Sequence, residues 1–273
     1  MGIFANPLTD LLEYEDFSRD FLKGTDPVGM TGCIDSEKVH FMSTFLREKK
    51  VQLVVTYNEQ RAREIEEDYK LFCSQVYVIP PRDLIFFSAD LQGNAIIAER
   101  MKAFAALYQN EAKVIITTMD ALMSAAVPFE QLMSHVIKLK EGDELDLEKL
   151  KHDLTVMGYE RVGRVEEPGQ FTVHGGIADV YPLTMEVPVR IELWGDEIDT
   201  IRCFEPQSQR SMDQIECVSV FPAAEVIADD TARRRAVGMI QNELESQLAV
   251  FKKAKEPDKA KRLREETNRI LEA

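Results

Sequence analysis

Three apolar, β-branched stretches, Val51 to Thr56, Val76 to Ile79 and Val114 to Thr118, are separated by helical segments and not by tight turns. That spacing limits the fold more than any other feature. Parallel strands need a crossover of about a dozen residues or more, usually a helix. Asn58 to Phe72 and Ala95 to Tyr108 have the length and period for that role. Ser36 to Lys50 sets Val39, Met42, Phe45 and Leu46 on one side, and Asn6 to Leu22 carries Leu8, Leu11, Leu12 and Phe17 at helical spacing. The expected result is a parallel sheet with helices on its faces.

The pattern changes after residue 134. Val136 to Leu139 predicts a short strand, and Asp146 to Met157 a helix with Asp146 as its cap. From Tyr159 to Val220 come short alternating strands, with turns at Pro168-Gly169, Gly175-Gly176 and Gly195-Asp196. This predicts a small α+β domain inserted after the α/β layer. Beyond Pro222 the chain turns helical again. Thr231 to Lys253 sets Ala236, Met239, Ile240, Leu244 and Leu248 on one side, and a second helix starts at Glu256-Pro257. The expected division is 1–134, 135–220 and 221–273, the last being a helical return to the first domain. A charged helix still running at Ala273 without a cap predicts that the chain is part of something longer.

Residues 29 to 36, Gly-Met-Thr-Gly-Cys-Ile-Asp-Ser, outline a phosphate-binding loop without its chemistry. A working loop reads G-x-x-x-x-G-K-[ST] between a strand and a helix. Gly29 and Ser36 match, and Gly32 adds a further glycine. Ile34 stands at the second glycine and Asp35 at the lysine. A carboxylate there repels the phosphates that an ammonium would attract, and a β-branched side chain blocks close backbone approach. The loop is expected to be inactive, with no cofactor bound.

The net charge of −15 argues against a large duplex-DNA footprint. Cys33, Cys73, Cys203 and Cys217 are scattered without C-x-x-C spacing, so no zinc framework is proposed and a reducing cytoplasm is expected. No signal peptide and no apolar run long enough for a membrane span is evident. No nucleophile–base pair stands out, so no catalytic residue is assigned.

The stretch Phe171 to Thr184, then Val189 to Arg202, then Phe204 to Ser211 resembles the second domain of the excision-repair subunit UvrB. It resembles still more closely that of the bacterial transcription-repair coupling factor. The resemblance runs along the chain in order: degenerate loop, helical layer, inserted module, return to helices. It implies a UvrB-like fold and a non-catalytic region that recruits the damage sensor UvrA to stalled RNA polymerase. The polymerase-binding domain, the ATP-driven motor and their DNA contacts would lie in other domains. UvrB carries a long aromatic hairpin after its third strand. Pro80 to Asn94 is too short for one, and Phe86 and Phe87 are expected to be packing residues.

The resemblance implies that His174, Arg190 and Trp194 contact UvrA. Strand alternation bears on this independently. It sets Arg190, Glu192 and Trp194 on one face, Ile191 and Leu193 on the other, and separates Phe171 and Val173 from Thr172 and His174. Trp and Arg are frequent carriers of interface energy. In the plainer reading Trp194 covers a neighbouring strand and Arg190 pairs with Glu192 or Glu197. The family usually has arginine at His174, and imidazole lacks that bidentate fork. Asp179, Asp196 and Asp199 are read as turn and strand-end residues, and Arg161 and Arg164 with Glu166 and Glu167 as a solvated face. Arg233 to Arg235 are read as solvated too. Two other functions stay open: a nucleotide-dependent DNA-binding half of a helicase, and a structural or autoinhibitory spacer.

Overall fold

The computed structural model describes residues 8, 14–24, 27–46, 50–82, 91–124, 126–227, 230–253 and 256–272. In chain order, α1 (Tyr14–Lys23) and α2 (Asp35–Ser43) precede β1 (Gln52–Thr56), α3 (Glu59–Lys70), β2 (Val76–Ile79), α4 (Leu91–Tyr108) and β3 (Val114–Thr118). Short helices α5 (Met119–Met123) and α6 (Phe129–Met133) lead to β4 (Ile137–Lys140), α7 (Leu147–Val156) and β5 (Glu160–Arg161). Then follow β6 (Gln170–His174), β7 (Ile177–Val180), β8 (Val189–Trp194), β9 (Glu197–Phe204), β10 (Ser211–Gln214) and β11 (Cys217–Val220). The last helices are α8 (Asp230–Lys253) and α9 (Pro257–Glu272).

The expected parallel sheet is present, in the order β1-β3-β2. The central strand β3 is buried along its whole length, as a strand covered on both faces must be. Val114 and Ile116 pack on Ala62, Ile65 and Tyr69 of α3 and on Val39 of α2. Ile115 packs on Ala103 and Ala106 of α4. Asn58 caps α3, its side chain accepting from the Arg61 amide.

Helix α2 ends at Ser43, before the expected Lys50. Its last residues explain the stop. The hydroxyls of Ser43 and Thr44 donate to the carbonyls of His40 and Phe41 at 2.6 and 2.8 Å, competing with helix continuation. Helix α1 begins at Tyr14, and Phe17 and Phe21 meet Phe41 and Phe45. Leu11, Leu12, Phe86 and Phe87 lie outside the described residues, so the expectations for them do too.

Residues 137–220 form a second module, a six-stranded sheet, β10-β9-β8-β7-β6-β5, beside the two-stranded β11-β4. Strand β4 runs from Ile137 to Lys140, one residue later than expected. Phe171, Val173, Ala178, Val180, Val189, Ile191 and Ile201 line one face of the large sheet. They pack on Leu150, Leu154 and Met157 of the α7 region and on Leu139, Val218 and Val220. Asp146 caps α7, accepting from the amides of Glu148 and Lys149 at 2.9 and 3.1 Å.

The end of α7 is tied to the strand that leaves the module. Met157 O accepts from the Ala223 and Ala224 amides at 2.9 and 3.1 Å, and the buried Tyr159 hydroxyl donates to Phe221 O at 2.7 Å. Burial pushes the pKa of that hydroxyl up. Gly158, at φ +90°, has no room for a side chain, since a Cβ would lie 2.6 Å from that of Ala224. Glu225 then closes the unit. Its carboxylate receives Arg82 Nε at 2.8 Å and Arg100 Nη2 at 3.2 Å, and Arg100 also donates to Pro80 O.

Residues Met1–Glu225 form one compact unit and Val226–Ala273 another. The second is the helical pair α8 and α9. Leu244 and Leu248 of α8 are half-buried, while Ala236, Met239 and Ile240 of the expected apolar stripe are exposed.

Candidate functional site

Face, register and turns together build the site. Hairpin β6–β7 turns through Gly175-Gly176 and β8–β9 through Gly195-Asp196, each with a positive-φ glycine first. Cross-strand pairing then arranges the face opposite the main core in rows, buried at Thr172 and Asp179 and open toward the hairpin tips. One row reads Thr172, Asp179, Arg190, Arg202, Gln214. The next reads His174, Ile177, Glu192, Thr200. At the tip, Trp194 stands opposite Glu197.

Arg190, Glu192 and Trp194 therefore share a face, and His174 lies on it two strands away. The three residues implied by resemblance are not in contact. Strand spacings of about 4.8 Å and rises of about 3.3 Å per residue set them at the corners of a triangle roughly 12 Å on a side. Trp194 is 84% exposed, and His174 is exposed at its hairpin tip. Inside the triangle lies Ile177, itself 41% exposed. The sequence reading missed Ile177, although Ala178 in the core puts its predecessor on the outer face.

Arg190 pairs with neither Glu192 nor Glu197. Its Nε and Nη2 donate to Asp179 Oδ1 and Oδ2 at 2.8 and 2.7 Å, a bidentate fork. Its guanidinium lies 4.7 Å from the centroid of the buried Phe204 ring. The Nη2 group also reaches Gln209 Oε1 at 3.4 Å, and Gln209 is itself tied to Val165 O and Pro206 O. The Asp179 hydrogen bond, opposed by desolvation, raises the Arg190 pKa, so the charge is permanent. The turn or strand-end role expected for Asp179 is thus corrected. It lies inside β7, is 6% exposed and anchors Arg190. Glu192 instead accepts from the Thr200 hydroxyl at 3.2 Å.

Asp196 does sit in the β8–β9 turn, but Asp199 lies within β9 and not at a strand end. Arg164 pairs with Glu166 at 3.2 Å and both are exposed, in keeping with a solvated face. Arg234 and Arg235 are exposed at the start of α8, and the side chain of Arg233 lies outside the described residues.

The loop at Gly29–Ser36 has a different character. Residues 27–34 form no strand, Gly32 adopts φ +82°, and Ser36 falls in the first turn of α2. Acidic side chains already occupy that helix start. Glu37 accepts from the Ile34 amide at 3.0 Å, and Asp35 pairs with Lys38 at 3.1 Å and Arg61 at 3.3 Å. The Lys38 hydrogen bond and the Arg61 charge lower the Asp35 pKa. The Ile34 side chain points outward, 64% exposed. A cavity of about 790 Å³ opens beside α2, lined by Asp35, Lys38, Arg61 and the apolar Val39, Leu53 and Val55. Among the described residues no His/Cys/Asp/Glu cluster could hold a metal, and no helix is long and apolar enough to cross a membrane.

Comparison with known proteins matches residues 137–225 to the UvrB interaction domain. The transcription-repair-coupling factor of Staphylococcus haemolyticus is 33% identical over 231 residues, covering 83% of this chain and 19% of that protein. That of Bacillus subtilis is 29% identical over 259 residues, covering 93% of the chain and 22% of the protein. That of Staphylococcus aureus (strain Mu50) is 31% identical over 241 residues, covering 86% and 20%. The chain spans about a fifth of the length of these relatives. The family match and these relatives together support a transcription-repair coupling factor N-terminal region, with residues 137–225 matching the UvrB interaction domain.

Proposed function

We propose that this chain is a non-catalytic recruitment module that binds the damage sensor UvrA through the outer face of β6–β9. The supporting observation is Trp194. A large aromatic left 84% exposed, on the same face as a permanently charged arginine, is the kind of anchor that interfaces use. Ile177 would extend the apolar contact, and Glu192 and Thr200 would form part of the polar rim. His174 would supply a hydrogen bond in place of the family's arginine fork. The division at residues 134 and 220 fits this role, with the α/β layer holding the module out. The polymerase, DNA and motor functions of the whole factor would belong to its other domains.

Trp194→Ala is the direct site test. Because the side chain is exposed, the melting temperature should not move, while affinity for UvrA should fall by ~2 kcal/mol, about 30-fold. Unchanged affinity would take Trp194 out of the interface. We also propose that the loop at Gly29–Ser36 holds no nucleotide, because Asp35 and Glu37 occupy the helix start where phosphate would bind. Titration with a fluorescent ATP analogue should give a flat signal. Saturable micromolar binding would overturn that reading.

A further inference from the structure

The row Thr172–Asp179–Arg190–Arg202–Gln214 sets two arginines directly opposite each other on adjacent strands and holds one carboxylate. Asp179 uses both oxygens on Arg190. Among the described residues, Arg202 makes no side-chain hydrogen bond or ion pair, and its Nε is buried without an acceptor. Its neighbours offer little. Glu192 is one row away and takes the Thr200 hydroxyl, and Gln214 turns its amide to Glu141 at 2.7 Å. Like charges directly opposite on a sheet repel, and a buried donor without an acceptor is costly. Such an arrangement is stable in isolation only at a penalty that an incoming anion would remove.

We propose that Arg202 is the guanidinium on which a partner carboxylate seats, with Arg190 as its positioning neighbour. Arg190 already spends Nε and Nη2 on Asp179 and Nη2 again on Gln209, so it presents charge but has only Nη1 uncommitted. Arg202 is half-buried, with its fork unused. The chain carries a net charge of −15, so an acidic partner is repelled by most of its surface and gains only at a local cationic spot. That contrast suits specificity. The partner is the UvrA of the proposed function, and this inference rests on that reading.

The test measures UvrA affinity of the whole 273-residue chain at low and high salt, for the unmodified protein, Arg202→Met and Arg202→Lys. Methionine keeps the apolar stem and removes the charge, while lysine keeps the charge and removes the fork. Arg202→Met should bind roughly 10- to 100-fold more weakly, with a flatter salt dependence. Arg202→Lys should fall between, with the salt dependence kept. The melting temperature is followed alongside, and if the methionine variant melts lower, the lysine variant alone decides. Affinity and salt dependence unchanged in both variants would overturn the role of Arg202 while leaving the UvrA reading intact. Absence of binding by the unmodified chain would overturn both.

Discussion

Replacing Glu225 by alanine is expected to destabilise the Met1–Glu225 unit by about 3–5 kcal/mol, because it strands a buried guanidinium. Glu225 is 7% exposed and Arg100 3%, and Arg82 completes the cluster. These contacts tie the segment leaving the second module to α4 and to the end of β2. Urea unfolding should show the loss as a lower midpoint at unchanged slope. The same carboxylate predicts an acid sensitivity. Burial alone would raise its pKa, but the hydrogen bonds from Arg100 and Arg82 outweigh that and hold it below the usual 4.5. A folded pKa below the unfolded one gives stability that is present above the unfolded value and lost as pH falls through the folded one. The unmodified protein should therefore begin losing stability as pH drops below about 4.5, and Glu225→Gln should lose less over that range. A Glu225→Ala variant as stable as the original would show that the cluster contributes nothing net.

Asp179→Ala should cost nearly as much, about 3 kcal/mol, by leaving Arg190 half-desolvated on Phe204 with no counter-charge beside a second guanidinium. It should also weaken UvrA binding although Asp179 itself lies beneath the surface, since Arg190 would lose its fixed orientation. Asp179→Asn keeps one acceptor and should recover part of both losses. Equal binding by Asp179→Ala, measured below its unfolding temperature, would mean that the orientation of Arg190 is not used.

Much of the fold was legible because it is written in local patterns. The β-branched run at Val114 to Thr118 reads as a covered parallel strand, Asp146 as a cap, and Gly175-Gly176 and Gly195-Asp196 as hairpin turns. All three depend on residues a few positions apart. The faces of β6 and β8 were legible for the same reason, since alternation needs no partner. Which residues meet across strands was not. The pairing of Arg190 with Asp179 depends on the β7–β8 register, and nothing between residues 180 and 189 announces it. Glu225 meets Arg82 and Arg100 across 143 and 125 residues, a contact with no local trace. Arg202 was passed over because its meaning lies in what surrounds it. In sequence it is one charged residue in an alternating strand, and only the cross-strand row reveals two cations with one anion, which Arg190 takes.

The early end of α2 has a local cause. Phe45 and Leu46 extend the helical apolar pattern past Ser43 and Thr44. Their hydroxyls turn back onto the chain and end α2 there.

Calorimetric titration of the unmodified chain with purified UvrA tests the central claim most directly. Recruitment through the exposed sheet face predicts saturable heat with a defined stoichiometry, abolished in an Arg190→Ala/Trp194→Ala double variant that still shows a cooperative melt. A featureless titration of the unmodified chain, or full binding by the double variant, would contradict it.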